Sequence, residues 1–354
     1  MLYHIAHRLV PYAHGLNVIH YVSFRAIAAL LTSLLFSFIF GSWFIEKSKL
    51  FFRAKAREWT PETHKVKDDL PTMGGIFIIA TVLVTALLWA NWDKATVWLF
   101  IGALLANGAI GFWDDWYKIR RRKGISARAK FVAQLTVAFV CAVIWLLVDA
   151  PSTTVTIPFF KNWNPDLGWF FIAWFVLVMV GTSNAVNLTD GLDGLAMGSL
   201  IPNFATFAIV CYLAGHIKLA EYLHIPFADS AEITVLGATL VGASLGFLWY
   251  NTYPAQIFMG DVGSLALGSA LAFMVLLAKQ ELLLLIAGGL FVVEALSVII
   301  QVWSYRRWGT RIFRMAPIHH HFELLGWQES KITVRFGIIS LILCLLALLT
   351  LKIR

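Results

Sequence analysis

The chain has 354 residues, of which 59% are hydrophobic and only 14% are charged, and its mean hydropathy is +0.76. Soluble domains are typically about 45–50% apolar and about 25% charged, so this composition excludes an ordinary soluble enzyme. The net charge of +8 does not indicate a nucleic-acid partner either, because no polar stretch is long enough to form a basic soluble module. The sequence therefore predicts a single membrane domain over residues 1–354.

Apolar runs follow one another along most of the chain. The first 21 residues lack the apolar core and cleavage site of a signal peptide, so we expect them to stay attached at the membrane interface. Each later run is near the roughly 20 residues that a helix needs to cross a bilayer. Because the runs are continuous rather than alternating, they favour helices, and we predict an all-α bundle of about ten transmembrane helices. The runs cover about 23–44, 73–92, 95–113, 131–149, 169–188, 195–214, 232–250, 264–280, 282–303 and 333–351.

Basic residues predict the orientation of this bundle. The loops at 45–72 and 114–130 carry seven Lys or Arg each, whereas the alternate loops carry one each. Cytoplasmic loops hold the excess of basic residues, so these two loops face the cytoplasm and both termini lie outside. Every unusual polar motif then falls on the cytoplasmic side, where we expect the active site. The five cytoplasmic loops are about 45–72, 114–130, 187–197, 251–263 and 304–331.

The first motif is the pair Asp114-Asp115 at the inner end of the third run. Two adjacent carboxylates repel each other and are costly to bury unless a cation or a proton compensates them. If the helix continues, Lys118 lies one turn further on and can face both. The simpler alternative is a pair of solvated charges that ends the span with an intrahelical ion pair.

The second motif, residues 187–194, ends the fifth run. If this segment is helical, its spacing of three places Asn187, Asp190 and Asp193 on one face. A turn for helix packing with ordinary polar ends is the alternative. Three aligned oxygen-bearing side chains favour a binding surface.

The third motif, residues 251–264, precedes the eighth run. The N-terminus of a helix offers free amide donors and the positive end of the dipole, which suit a phosphate. Asp261 adds a carboxylate there, and Mg²⁺ is typically held by one or two carboxylates plus substrate phosphates. An N-cap role for Asp261 is the alternative.

The fourth motif, residues 315–323, contains three consecutive histidines. Three adjacent imidazoles do not easily face one ion and no cysteine lies nearby, so phosphate binding or proton transfer is favoured over zinc. A purely structural role is the alternative. Glu294, inside the ninth run after Gly288-Gly289, is expected to be functional or to face the bundle interior, because ionisable groups at that depth are costly.

In order and in loop position, the four motifs across residues 65–330 resemble the polyprenyl-phosphate hexose-1-phosphate transferase superfamily. The segment Met-Ala-Pro-Ile-His-His-His-Phe-Glu is more similar to the bacterial phospho-N-acetylmuramoyl-pentapeptide transferase family than to its N-acetylglucosamine-1-phosphate relatives. The resemblance implies a Mg²⁺-dependent phosphoglycosyl transferase of the bacterial cytoplasmic membrane. Its substrates would be UDP-MurNAc-pentapeptide and undecaprenyl phosphate, its products lipid I and UMP in the first membrane step of peptidoglycan synthesis, and its assembly a homodimer.

The same resemblance implies a role for each motif residue. Asp261 would be the principal Mg²⁺ ligand, Asp114 would orient or deprotonate the lipid phosphate, and Asp115 and His320 would belong to the same catalytic group. The nucleotide would be bound by Asn187, Asp190, Asp193, Asn251 and Phe258, whose ring offers a stacking face for uracil. The phosphates would be engaged by Lys65, Lys118, Lys130, His319, His320 and His321, although any one of these lysines fits a purely topological role as well.

Three alternatives remain open at this stage. A covalent phosphoryl-enzyme would need more steps than direct attack by a lipid phosphate that is already ionised, so we favour direct attack. A UDP-GlcNAc transferase of the same superfamily would use similar motifs. An ion-coupled transporter typically has its carboxylates near the bilayer midplane, in broken helices that are repeated between two halves. In this sequence, only Glu294 lies near the middle of a predicted span.

Overall fold

The computed structural model describes residues 1–52, 70–160 and 163–353. Helices dominate these residues, and one isolated antiparallel bridge joins Thr154 and Asp166. The N-terminal segment folds as α1 (Leu2–Leu9) and a 3₁₀ helix (His14–His20). The later helices are α2 (Val22–Phe51), α3 (Gly75–Trp89), α4 (Ala95–Arg121), α5 (Ala127–Val148), α6 (Phe170–Thr189), α7 (Leu195–Ala214), α8 (Ile217–Leu223), α9 (Ala231–Asn251), α10 (Gly260–Leu277), α11 (Leu283–Ala287), α12 (Gly289–Trp308), α13 (Ile318–Glu323) and α14 (Glu329–Thr350).

A helix occupies each of the ten predicted runs. Among the described residues, nine helices are long and apolar enough to cross a membrane: α2, α4, α5, α6, α7, α9, α10, α12 and α14. The run at 73–92 forms α3, whose 15 residues span roughly 22 Å, less than a typical hydrocarbon core of about 30 Å. The run at 282–303 is divided at Gly288 between α11 and α12. The prediction of an all-α, multi-pass bundle is confirmed, with nine full-length spans and the shorter α3.

The centre of the bundle is formed by α9 and α10, most of whose apolar length is enclosed by other helices. α9 packs against α2, α3 and α7, whereas α10 packs against α3, α4, α6 and α7. Small residues allow these close crossings: a Cβ added to Gly75 would lie 2.1 Å from the amide nitrogen of Gly263. Most of α2, α5, α12 and α14 lies outside this centre. Their exposed apolar side chains give the bundle a surface suited to lipid.

The two ends of the bundle differ in character. At one end, the amides of Gly74 and Gly75 donate to the carbonyls of Phe258 and Met259, both at 2.9 Å, which ties the start of α3 to the start of α10. At the other end, the N-terminal amine donates to the carbonyl of Leu88 at 3.2 Å, near the end of α3. Near the C-terminus, Lys352 donates to the carbonyl of Tyr222 in α8, the short helix that follows α7. Both termini therefore lie at the same end of the bundle.

A buried ion pair holds the end that carries the termini. Arg25 in α2 is only 1% exposed and donates to both carboxylate oxygens of Glu232 in α9, at 2.7 and 2.6 Å. The same carboxylate accepts the amide of Asn91 at 3.2 Å, and the guanidinium lies 4.5 Å from the ring centroid of Tyr3. One pair thus links α1, α2, α9 and the connection after α3.

Candidate active site

Three carboxylates meet at the end of the bundle opposite to the termini. α4 continues beyond its apolar part as far as Arg121, so that Asp114 and Asp115 lie on its final turns, while Asp261 lies in the first turn of α10. One oxygen from each carboxylate lies within 4.8 Å of the other two. Asp114 and Asp115 are buried and Asp261 is half-buried. Like charges at this separation need a compensating cation.

Two lysines supply that compensation. The Lys118 ammonium lies 2.8 Å from a carboxylate oxygen of Asp114, 2.8 Å from one of Asp261 and 3.2 Å from one of Asp115. Lys130, from the first turn of α5, donates to Asp261 and lies 3.4 Å from Asp114. The predicted contact of Lys118 with both aspartates of α4 is present, and the same ammonium reaches Asp261 as well.

Backbone groups fix the orientation of the buried pair. The amide of Ile125 donates to Asp114 at 2.8 Å, and the amide of Val262 donates to Asp115 at 3.2 Å. Gly111 permits this approach, because a Cβ there would lie 2.2 Å from the Asp261 carbonyl oxygen. The carboxylates are therefore held by hydrogen bonds and by a close crossing of α4 and α10.

Asn187 joins the end of α6 to this centre. Its amide donates to Asp261 at 3.0 Å and to the hydroxyl of Ser264 at 2.8 Å. The next carboxylate, Asp190, follows the end of α6 and has a pKa raised to about 8, first by burial and then by the nearby charges of Asp261 and Asp115. Asp190 is therefore largely protonated at neutral pH, unlike an ordinary aspartate.

An open cavity of about 710 Å³ lies over these groups, a volume in the range typical of ligand sites. It brings together most of the residues that the sequence predicts for the site. Its predicted members are Asp114, Lys118, Lys130, Asn187, Asp190, Phe258, Asp261, His319 and His320. Asp115 lies beneath this surface, where its carboxylate contacts Lys118.

Asp193 and Asn251, which the sequence also predicts for the site, do not line the cavity. Asp193 is buried and accepts the amide of Ala255 at 3.0 Å, and Asn251 accepts the amide of Gly194 at 3.1 Å and donates to Ile257 at 2.9 Å. Both hold the turn after α6 against the turn after α9. Their nucleotide-binding roles stay predictions, as does that of Lys65, which lies outside the described residues.

The expected single face of Asn187, Asp190 and Asp193 is not formed. α6 ends at Thr189, and the following turn directs Asp193 towards Ala255 while Asp190 lines the cavity. The chain leaves helical geometry at Asp190, whose φ of −79° and ψ of 58° end α6, and it becomes helical again only after Gly194, whose left-handed φ of +73° precedes α7. The spacing of three was therefore the wrong guide to this segment.

The three histidines point in three directions. Nδ1 of His319 lies 3.1 Å from Glu294, Nδ1 of His320 lies 3.0 Å from Glu323, and Nδ1 of His321 accepts the amide of Arg314 at 3.1 Å. Only the first two line the cavity. This divergence agrees with the expectation that the triplet does not enclose one ion.

The donor set suits a hard divalent cation. Mg²⁺ prefers carboxylate oxygens and retains several waters, and Asp114, Asp115 and Asp261 offer oxygens close enough to share one ion. The ammonium groups of Lys118 and Lys130 now lie against these oxygens. A cation binding here would replace part of their neutralising role.

Several residues of the site were not found by sequence reasoning. Gly124, Ile125, Leu188 and Pro317 line the cavity, and Gly124 allows the approach of Asp114, because a Cβ there would lie 2.3 Å from its Oδ1. The Lys-Gly-Ile-Ser turn that contains Gly124 and Ile125 is a recognisable loop signal. Nothing in that turn, however, indicates which carboxylate it contacts.

A multi-pass helical bundle with a polar, charge-lined cavity at one end of its spans defines a membrane-embedded enzyme. Residues 97–279 match the sequence profile of the family described as "Glycosyl transferase family 4". The chain is 50% identical to the phospho-N-acetylmuramoyl-pentapeptide-transferase of Citrifermentans bemidjiense and 48% identical to that of Solidesulfovibrio magneticus, in each case over the full length of both chains. A relative of the same name from Geobacter sp. strain M21 is 49% identical over the same extent. The chain belongs to this family of transferases.

Proposed function

We propose that this protein transfers phospho-MurNAc-pentapeptide from UDP-MurNAc-pentapeptide to undecaprenyl phosphate, which yields lipid I and UMP. The observation that carries the proposal is the cluster of Asp114, Asp115 and Asp261 with Lys118 and Lys130, which opens into a cavity at the ends of the membrane spans. A site at this depth suits one substrate that is a membrane lipid and another that is a soluble nucleotide. Family membership and the resemblance of the His motif support the same choice of substrates.

The cavity end of the bundle faces the cytoplasm in this proposal. The basic loop after α4 supports that orientation, because Gly124 and Ile125 in this loop line the cavity and its neighbours carry the excess of Lys and Arg typical of cytoplasmic loops. Both termini are then extracytoplasmic. A bacterial cytoplasmic membrane is the setting in which both substrates meet.

Phosphoryl transfer in this cavity is mainly a matter of position and charge. The lipid phosphate oxygen forms a bond to the sugar-bearing phosphorus, while the bond from that phosphorus to the bridging oxygen breaks and UMP leaves with that oxygen. Asp114 orients the attacking phosphate, and Lys118 and Lys130 neutralise the phosphate oxygens. The nucleotide lies against Asn187, Asp190 and the ring of Phe258.

Magnesium fits the same centre. Asp261 would be its principal ligand, with oxygens of Asp114 and Asp115 close enough to share the ion, which would supply charge neutralisation for the diphosphate. The predicted homodimer stays a prediction, because it rests on the resemblance alone.

The reaction can be tested by UMP release from detergent-purified protein given UDP-MurNAc-pentapeptide, undecaprenyl phosphate and Mg²⁺. We expect lipid-dependent release that EDTA abolishes and that Asp261→Ala lowers by about 10³-fold or more, since loss of a single transition-state contact already costs about 10²–10³-fold. Lys123→Met is the matched control, because Lys123 is exposed in the same basic loop and does not line the cavity.

Substrate choice is checked in the same assay with UDP-GlcNAc. Release of UMP from UDP-GlcNAc and none from the pentapeptide substrate would assign the protein to the sister transferases. Release that persists in EDTA would remove the magnesium part of the proposal and leave the transfer itself in place.

A further inference from the structure

A second carboxylate–imidazole pair lies behind the cavity wall. Glu294 and His319 are both fully buried, and Oε2 of Glu294 lies 3.1 Å from Nδ1 of His319. The glutamate comes from α12, shortly after the break at Gly288, and the histidine from the short helix α13. A buried carboxylate inside an apolar span costs free energy, so its position beside a residue of the site indicates a function.

The pair defines which nitrogen of His319 carries a proton. A carboxylate can only accept a hydrogen bond, and a carboxyl group is ordinarily a stronger acid than an imidazolium, so the shared proton belongs to Nδ1. Burial lowers the pKa of His319, and the hydrogen bond that its Nδ1–H donates to Glu294 acts in the opposite direction. The neutral ring then leaves Nε2 as a bare acceptor.

Nε2 of His319 points to the edge of the cavity formed by the turn after α6. A Cβ added to Gly191 would lie 2.3 Å from this nitrogen, and both residues line the cavity. Among the described residues, none donates a hydrogen bond to Nε2. A buried acceptor without a donor is unusual in a folded protein and indicates that a ligand or a moved backbone segment completes it.

We propose that Glu294 is a positioning residue that fixes His319 as the Nδ1–H tautomer and so presents Nε2 as an acceptor for a hydroxyl or N–H donor of the bound substrate. The proposal rests on the proposed function for the identity of that substrate. Its structural half, the tautomer, does not depend on any activity. Glu294 itself does not line the cavity, and it acts only through His319.

The kinetic test compares Glu294→Gln, His319→Gln and the double variant in the UMP-release assay. A glutamine amide can donate to Nδ1 and thereby invert the tautomer, so we expect Glu294→Gln to lose on the order of 10- to 100-fold in kcat/KM, as is typical when the partner that orients a histidine is removed. The double variant should be no worse than His319→Gln. Additive losses would show that Glu294 acts independently of the histidine and would overturn the proposal.

The control is Ser297→Ala, which removes a buried hydroxyl that donates to the backbone carbonyl of Glu294 at 2.7 Å and leaves the carboxylate in place. Each variant is compared with wild type by thermal melting in detergent, so that a loss of folding is separated from a loss of positioning. We expect Ser297→Ala to change the melting temperature without changing kcat/KM of the folded protein.

The tautomer is measured directly from the ¹⁵N chemical shifts of histidine-labelled protein, with the His319 signals identified by their loss in His319→Gln. Protonated Nδ1 and bare Nε2 in wild type, reversed in Glu294→Gln, support the proposal even if the assumed substrates are wrong. A protonated Nε2 in the wild-type protein overturns it, whatever the enzyme transfers.

Discussion

Lys118 is the residue on which the charge balance of the site depends most. Its ammonium is within 3.2 Å of all three carboxylates, whereas Lys130 reaches only Asp114 and Asp261. Removal of one cation from a buried group of like charges leaves an uncompensated repulsion that costs several kcal/mol. A divalent cation bound to the three carboxylates would neutralise the same oxygens in place of Lys118.

Lys118→Met should therefore make the protein depend on magnesium for stability. We expect its melting temperature in detergent to fall below that of wild type and to recover in part when Mg²⁺ is added, with a larger Mg²⁺-induced rise than in wild type. Activity should fall by about 100-fold or more, because the ammonium also neutralises phosphate. Lys123→Met should show neither effect, and an equal response of both variants to Mg²⁺ would argue against a metal at this cluster.

Asp190 gives the site a defined pH dependence of stability. Its pKa is raised to about 8 by burial and then by neighbouring carboxylates, from an ordinary value of 3.8. Between these two values the unfolded chain has lost the proton that the folded chain keeps, so the free energy of unfolding falls as pH rises from about 4 to about 8 and then levels off.

In Asp190→Asn this group can no longer ionise, so it no longer lowers the free energy of unfolding as pH rises. Relative to wild type, the variant should gain thermal stability steadily between pH 5 and pH 8 and gain no more above it, as measured by melting temperature in detergent without Mg²⁺. Asp93→Asn at the opposite end serves as the control for general pH effects, because Asp93 is exposed and does not line the cavity. A stability difference that is flat between pH 5 and pH 8 would show that Asp190 is ionised in the folded protein.

The crossing of α4 and α10 sets the geometry of the carboxylates. Gly111 lies where a Cβ would be 2.2 Å from the Asp261 carbonyl oxygen, whereas a Cβ on Gly102, in the same helix, would meet no atom within 4 Å. Both glycines lie in α4, but only Gly111 is in contact with α10. They provide a matched pair for testing how closely the helices must approach.

Gly111→Ala should push α10 away from α4 and displace Asp261 from Asp114. Overpacking of this kind costs about 1–3 kcal/mol, and a displacement of about 1 Å at a reacting group can cost about 10²-fold in rate. We expect both losses for Gly111→Ala in melting and UMP-release measurements, and neither for Gly102→Ala, in which alanine is the better helix former. Full activity of Gly111→Ala would mean that the crossing does not set the catalytic geometry.

Sequence reasoning predicted the elements better than the turns between them. Apolar runs located all ten helical segments, since this signal resides in local composition. The spacing of three in residues 187–193 was misleading because α6 ends at Thr189 and the chain turns before α7 begins at Leu195, which a helical periodicity does not show. The partner of Glu294 could not be predicted either, because its contact with His319 spans 25 positions of the chain.

Across the whole molecule, the end that carries the termini is stabilised independently of the site. The buried pair of Arg25 and Glu232 joins α2 to α9, whereas Lys94 and Asp229 form an exposed pair at the same end. Breaking a buried pair leaves one charge without a partner and costs about 3–5 kcal/mol, but an exposed pair contributes about 1 kcal/mol or less.

Arg25→Met should lower the melting temperature substantially and leave UMP release per folded molecule unchanged, because the pair lies at the end opposite to the cavity. Lys94→Met should have little effect on either measurement. In the double variant Arg25→Met with Glu232→Gln, part of the lost stability should return, since no charge remains buried alone. Loss of activity in folded Arg25→Met would instead show that the two ends are coupled.

The proposed orientation places the cavity loop and the termini on opposite sides of the membrane, and two exposed positions can report on it. Tyr12 is 87% exposed in the N-terminal segment, and Lys123 is exposed in the loop that lines the cavity. The natural cysteines Cys141, Cys211 and Cys344 are all buried. We therefore expect the reagent to label them only slowly, and replacing them with serine removes this background. In intact spheroplasts, a membrane-impermeant thiol reagent should label Tyr12→Cys and spare Lys123→Cys, and inverted vesicles should give the reverse. Labelling of Lys123→Cys from outside would place the cavity away from the cytoplasmic nucleotide and would contradict the proposed reaction at the level of the whole molecule.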